Sequence, residues 1–254
     1  MRALIAYVID QPPHFPHTHP EYELNSRQEM QLNVLFSQLL DGIPLPYLTQ
    51  KQSFFGLDFY MTPDVLIPRP ETELLVSAAL DFINKRNPPI IAADVGTGSG
   101  CIAVTLSFSH PGLWVIASDI SYNAIRIAKR NAHAYNQNKG IDFVVSNLFS
   151  GIATKFDIIC ANLPYIPSKR LAKLHVSKHE PLCALDGGSD GFSLIHRLVH
   201  QSASFLKPHG AMFLEIDYTQ AKQITCLFTE LFPSSSITIE KDHAGQERLA
   251  ILKL

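Results

Sequence analysis

From residue 90 onward the chain alternates two kinds of pattern. Short apolar runs, "IIAADV" (90–95), "LWVIASD" (113–119), "IDFVVSN" (141–147), "FDIICAN" (156–162) and "AMFLEID" (211–217), are rich in β-formers. They read as strands covered on both faces. Between them apolar positions recur at spacings of three and four. In "SYNAIRIAKRNAHAYN" Ser121 is placed to cap a helix whose inward face carries Ile125, Ala128, Ala132 and Tyr135. In "RPETELLVSAALDF" Pro70 suits the first helical turn and Glu71 and Glu73 suit its positive end. Leu74, Leu75, Ala78, Ala79 and Phe82 make the stripe. Such alternation predicts an α/β domain with a mostly parallel sheet. "SSITIEKDHAGQERLAILKL" adds two strand-like runs around an Ala-Gly turn, an antiparallel hairpin at one sheet edge.

The first fifty residues differ. "RQEMQLNVLFSQLLDG" predicts one amphipathic helix, and the prolines of "QPPHFPHTHPEY" exclude regular structure before it. "FFGLDFYMTPDVLI" turns like a small hairpin joining the two parts. A length of 254 residues accommodates one large domain with a small appendage.

Composition narrows the chemistry. The net charge is -2 and the sequence pI about 6.6, so no overall basic field holds a polyanion, and nucleic acid is disfavoured as the main partner. Cys101, Cys160, Cys183 and Cys226 are scattered without a CxxC pair, which predicts reduced thiols in a cytoplasmic protein. No segment reads as a cleaved leader or a membrane span. His14, His17 and His19 lack an accompanying Cys or acidic ligand pattern, so a solvated loop is expected there and no metal.

"DVGTGSGCIAV" follows the first strand of the α/β part and opens a helix. Gly96, Gly98 and Gly100 allow tight turning and close approach of a ligand to main-chain amides, with Thr97 and Ser99 between them. Asp119 ends the next strand, where a carboxylate can accept both hydroxyls of a ribose. Together these predict an adenosine cofactor. The spacing is not Gly-x-Gly-x-x-Gly, and Asp94 would repel a pyrophosphate but suits an ammonium group. S-adenosylmethionine therefore fits better than NAD.

"NLPY" closes another strand. Asn and Pro commonly punctuate turns, and the four residues alone read as one. Behind a methionine-type cofactor loop they read as a clamp. Asn162 Oδ1 and the Leu163 carbonyl can accept both hydrogens of one planar NH2 group, Pro164 fixes the turn, and Tyr165 can pack over the substrate plane.

These residues carry a resemblance. "DVGTGSG", Asp119 and "NLPY" look like class I methyltransferases acting on planar amino groups. Residues 42–76, with "LIPRPETE" the most specific part, together with "EPLCALDGGSDG" and "KDHAGQER", are similar to the HemK-like glutamine N5-methyltransferases of peptide chain release factors. The resemblance implies a Rossmann-like methyltransferase domain over residues 66–254, a connecting hairpin over 53–65 and a small helical substrate-recognition domain over 1–52. It implies methyl transfer to the glutamine of a Gly-Gly-Gln loop in release factors. By the same match the segment from Gly96 to Gly100 cradles the cofactor, Asp119 binds its ribose, Asn147 and Leu148 flank its adenine, and Asn162 to Tyr165 grip the glutamine. Arg69, Glu71 and Glu73 belong either to helix-start electrostatics or to a lid. The family usually carries Asn-Pro-Pro-Tyr where this chain has Leu163, and often Asp where it has Asn147. Two readings stay beside this one: an adenine or cytosine amino-methyltransferase of nucleic acid, and a non-catalytic module that keeps the cofactor pocket.

Overall fold

The computed structural model describes residues 1–254, the side chain of Val176 excepted. Four helices, α1 (Arg2–Val8), α2 (Phe15–Thr18), α3 (Ser26–Leu40) and α4 (Leu45–Leu48), precede a hairpin of β1 (Lys51–Phe54) and β2 (Leu57–Tyr60). Asn25 and Gln28 exchange two 3.0 Å hydrogen bonds that satisfy the amides opening α3. None of the residues of α3 is buried. The proline-rich segment contradicts expectation over one turn, because Pro16 falls at the second position of α2, where no amide donor is required. Helix α1 was not legible in the apolar run around it.

The remainder follows the alternating pattern: α5 (Pro70–Ile83), β3 (Ile90–Val95), α6 (Cys101–Ser109), β4 (Leu113–Asp119), α7 (Tyr122–Ala134), β5 (Ile141–Val145), β6 (Phe156–Ala161), α8 (Ser168–Leu171), α9 (Ser193–Phe205), β7 (Leu206–Glu215), α10 (Ala221–Leu231), β8 (Ser236–Lys241) and β9 (Glu247–Lys253). Strands pair in the order β5-β4-β3-β6-β7-β9-β8. The first five are parallel, and the β8–β9 hairpin closes one edge antiparallel. Strand β7 starts earlier than its apolar run and ends at Glu215.

Alternation along each strand divides the core. Ala92, Val115, Ile158 and Phe213 pack with α5 and α6 on one face. Ala93, Ile159, Met212 and Leu214 pack with α9 and α10 on the other. On α5 the buried positions are Thr72, Leu75, Val76, Ala79 and Ile83, so the stripe is rotated from the sequence expectation, and Leu74, Ala78 and Phe82 are only partly buried. A threonine inside that stripe is tolerated because its hydroxyl is hydrogen-bonded on both sides.

Chain order reverses between β3 and β6. Ligands in open α/β sheets sit at such a switch point, beyond the carboxyl ends of the strands. Register puts Val95 beside Ser118 and Ala161, so the loops after β3, β4 and β6 leave the sheet at one level.

Candidate active site

The three loops border one cleft, with residues of all three in its wall. Its floor is the glycine loop. Gly96 and Gly98 adopt φ of +77° and +55°, in the left-handed region that costs other residues energy. A Cβ on Gly96 would lie 2.8 Å from Leu163 Cδ2, whereas one on Gly98 would meet nothing within 4 Å. The first glycine is thus required by packing, and the second leaves the main chain bare toward the cleft.

Asp119 stands at the mouth of β4. Its Oδ2 accepts the Gly98 amide at 2.9 Å and its Oδ1 the Ser121 amide at 2.8 Å, so each oxygen keeps a lone pair for a further donor. Burial raises its pKa against the pull of these amides. Asp94, fully buried, is absent from the cleft wall. Its Oδ2 accepts from Thr97 Oγ1 at 2.6 Å and from the Ala103 amide at 3.1 Å, while Oδ1 has no partner among the described residues. Burial pushes this carboxyl up to about 7.

Beyond β6, Asn162 donates from Nδ2 to Thr72 Oγ1 at 3.0 Å. Thr72 donates in turn to Glu215 Oε2 at 2.6 Å, and Tyr165 donates its hydroxyl to Glu215 Oε1 at 3.1 Å. Among the described residues nothing donates to Asn162 Oδ1 or to the Leu163 carbonyl. Two acceptors therefore stand free side by side at a cleft wall formed by Asn162, Leu163 and Pro164.

The structure brings together most of the residues singled out from sequence. Gly96, Thr97, Gly98, Ser99, Asp119, Asn147, Leu148, Asn162, Leu163 and Pro164 line the cleft. Asp94, Gly100 and Tyr165 lie behind it. Tyr165 is tied to Glu215 rather than laid over the opening. Asn147 is exposed and its Oδ1 already accepts from Arg197 at 3.3 Å. Leu148 holds φ at +54°, and its carbonyl accepts from Ser146 Oγ at 3.0 Å.

The segment holding Asp64, Val65, Leu66 and Pro68 forms another part of the wall. Buried Glu180 fixes it, accepting from the Ile67 amide at 3.1 Å and from the Arg69 guanidinium, while Tyr47 donates to the Val65 carbonyl at 2.6 Å. Arg69 is thus a tie across the wall. Glu73 accepts from the Phe55 amide at 2.8 Å and anchors the hairpin. Sequence reasoning missed Thr72, Glu180 and Glu215, whose partners are 50 to 143 residues distant.

A parallel sheet with this strand order, a glycine loop at the switch point and an acid ending the neighbouring strand define a Rossmann-like methyltransferase. The family model "Methyltransferase small domain" matches residues 72–178. The catalytic domain of hMettl16 shares the fold, with a TM-score of 0.62 over 96% of this chain and 93% of that one at 16% identity. The protein-(glutamine-N5) methyltransferase (release factor-specific) of Alicyclobacillus acidocaldarius is 27% identical, with a TM-score of 0.50 over 77% of this chain and 98% of that one. The release factor glutamine methyltransferase of Enterococcus faecalis is 38% identical over 92% of this chain and 84% of its own, and that of Coxiella burnetii 36% over the same shares. The chain belongs to the release factor glutamine methyltransferase family.

Proposed function

We propose that this protein transfers a methyl group from S-adenosylmethionine to the side-chain amide nitrogen of the glutamine in the Gly-Gly-Gln segment of peptide chain release factors. The observation that carries the reading is the pair of unoccupied acceptors, Asn162 Oδ1 and the Leu163 carbonyl, in the cleft wall beside the glycine loop.

The residues present fit the cofactor. The open face at Gly98 admits close approach to main-chain amides, the remaining lone pairs of Asp119 suit ribose hydroxyls, and Leu148 and Leu163 offer apolar walls. Asn147 reaches an adenine amine only by sharing the oxygen that Arg197 now holds. When bound, S-adenosylmethionine supplies a methyl group activated on a sulfonium.

An amide nitrogen is a poor nucleophile because its lone pair is delocalised. Asn162 Oδ1 and the Leu163 carbonyl accept its two hydrogens, orient it and oppose the positive charge that grows on it. Each such group contributes about 3 kcal/mol by comparison with oxyanion-hole donors. Positioning supplies much of the remainder. Leu163 in place of the more usual proline keeps the needed carbonyl, and its side chain packs over Gly96.

Residues 1–52 are assigned to holding the protein substrate, a role supported by exposed Met30, Val34 and Leu40 on α3. The charge of -2 supports a protein acceptor over nucleic acid. Among the described residues no helix is long and apolar enough to cross a membrane. The test is incubation with labelled cofactor and, separately, release factor, RNA and DNA, followed by peptide mapping. Label in the Gly-Gly-Gln peptide is expected, and label on RNA with none on protein overturns the reading.

A further inference from the structure

The two ends of the Asn162 carboxamide have almost the same shape, so packing alone cannot decide which one faces the cleft. Hydrogen-bond direction can. Thr72 and Glu215 are 1% and 2% exposed, and among the described residues their side chains bond to each other, to Asn162 and to Tyr165. A hydroxyl has one hydrogen to give. Thr72, 2.6 Å from Glu215 Oε2, gives it to the carboxylate, so toward Asn162 it can only accept. Asn162 must then turn its NH2 to Thr72 and its oxygen to the cleft.

We propose that Glu215 is a positioning residue which, acting through the Thr72 hydroxyl, sets the Asn162 carboxamide with its oxygen toward the substrate amide. The proposal rests on the clamp reading above. With the opposite orientation an NH2 would meet an NH2, donor against donor, and the clamp would lose one of its two acceptors.

The surroundings of Glu215 suit a fixed acceptor. Tyr165 gives Oε1 its own hydrogen, so both oxygens are engaged by donors and neither has reason to turn. Arg248 of β9 adds attraction, whereas Glu71 of α5 and the Cys101 thiol of α6 face it as groups that gain nothing from its charge. Burial raises the carboxyl's pKa, and Thr72, Tyr165 and Arg248 counter that. Glu215 does not border the cleft, so it is not a catalytic residue.

The test compares Thr72→Val, Thr72→Ser, Glu215→Gln and Asn162→Ala in the full chain with a release factor as acceptor. Cofactor affinity is read by calorimetry and kcat apart from KM. Thr72→Val removes the acceptor for Asn162 and is expected to lower kcat at least about tenfold with cofactor affinity within about threefold. Thr72→Ser restores most of that loss. Glu215→Gln, whose own NH2 competes for the Thr72 oxygen, lowers kcat at least about threefold. A second readout needs no turnover: in asparagine-labelled protein the Asn162 side-chain amide resonance, assigned by its loss in Asn162→Ala, exchanges with water faster in Thr72→Val than in Thr72→Ser. Should Asn162→Ala be inactive while Thr72→Val and Glu215→Gln turn over within about twofold of the parent, the inference is overturned and the clamp stands. Full activity of Asn162→Ala sinks the clamp and the inference with it.

Discussion

Asp94 shows how one buried oxygen alters the response of the whole chain to acid. One of its oxygens is held by Thr97 and the Ala103 amide and the other, among the described residues, by nothing, and burial pushes the carboxyl up to about 7 from the ordinary carboxylate value of about 4. Between those values the folded state keeps a proton that the unfolded chain has lost. Stability therefore declines as pH rises from about 4 to about 7 and levels off above. Asp119 and Glu215 are raised by burial too and act in the same direction. The lowered carboxyls Asp58, Asp186, Asp190, Asp217 and Asp242 act below that window. Asp94→Asn is expected to flatten the fall in Tm of the cofactor-free protein between about pH 5 and about pH 7. Parallel curves for parent and variant would show that Asp94 ionises normally.

At the scale of elements, the loop after β3 combines two glycines with different duties. Gly96→Ala puts a methyl 2.8 Å from Leu163 Cδ2 at a φ of +77°. Strain of about 1–2 kcal/mol is joined by displacement of the clamp residue, so both Tm and turnover fall. Gly98→Ala meets no atom within 4 Å and bears the conformational strain alone, but it adds a methyl to a residue that lines the cleft. It is expected to lose less stability and to weaken cofactor binding about tenfold or more, measured by calorimetry beside thermal melts. The reverse ranking would overturn this division. The loop, its strands and Asp119 were legible because each obeys a local rule of spacing or strand alternation. The face of α5 was less so, since Thr72 is buried for a hydrogen-bonding reason that depends on Glu215, 143 residues away. Helix α2 was missed because the prolines were read as breakers without regard to their position in the first turn. Local patterns cannot announce partners that meet only after folding.

Over the whole molecule, a few side chains join the hairpin to the α/β domain, and one of them bonds to two segments at once. Asn131 of α7, 2% exposed, accepts from the Tyr60 amide at 2.8 Å and donates to the Tyr60 carbonyl and, at 2.8 Å, to the Ser99 carbonyl. It ties β2, the glycine loop and its own helix at one point. Tyr135 seconds it by exchanging hydrogen bonds with the main chain of Asp58. Asn131→Ala leaves three main-chain groups without their partner and is expected to destabilise by about 2–4 kcal/mol. Limited proteolysis should then cut first near residues 49–62. An unchanged cleavage pattern would mean that the hairpin is held by its other ties, the bonds from Glu73 and Tyr135 and the apolar contacts of Phe54 and Phe59.

Two lone oxygens side by side also imply a stopping rule. A primary amide offers two hydrogens to Asn162 and Leu163, but a nitrogen that has received its methyl offers one. On the proposed reading the modified side chain is therefore a worse fit than the unmodified one, and transfer is expected to stop after a single added carbon, because the wall that welcomed the amide no longer finds what it counts.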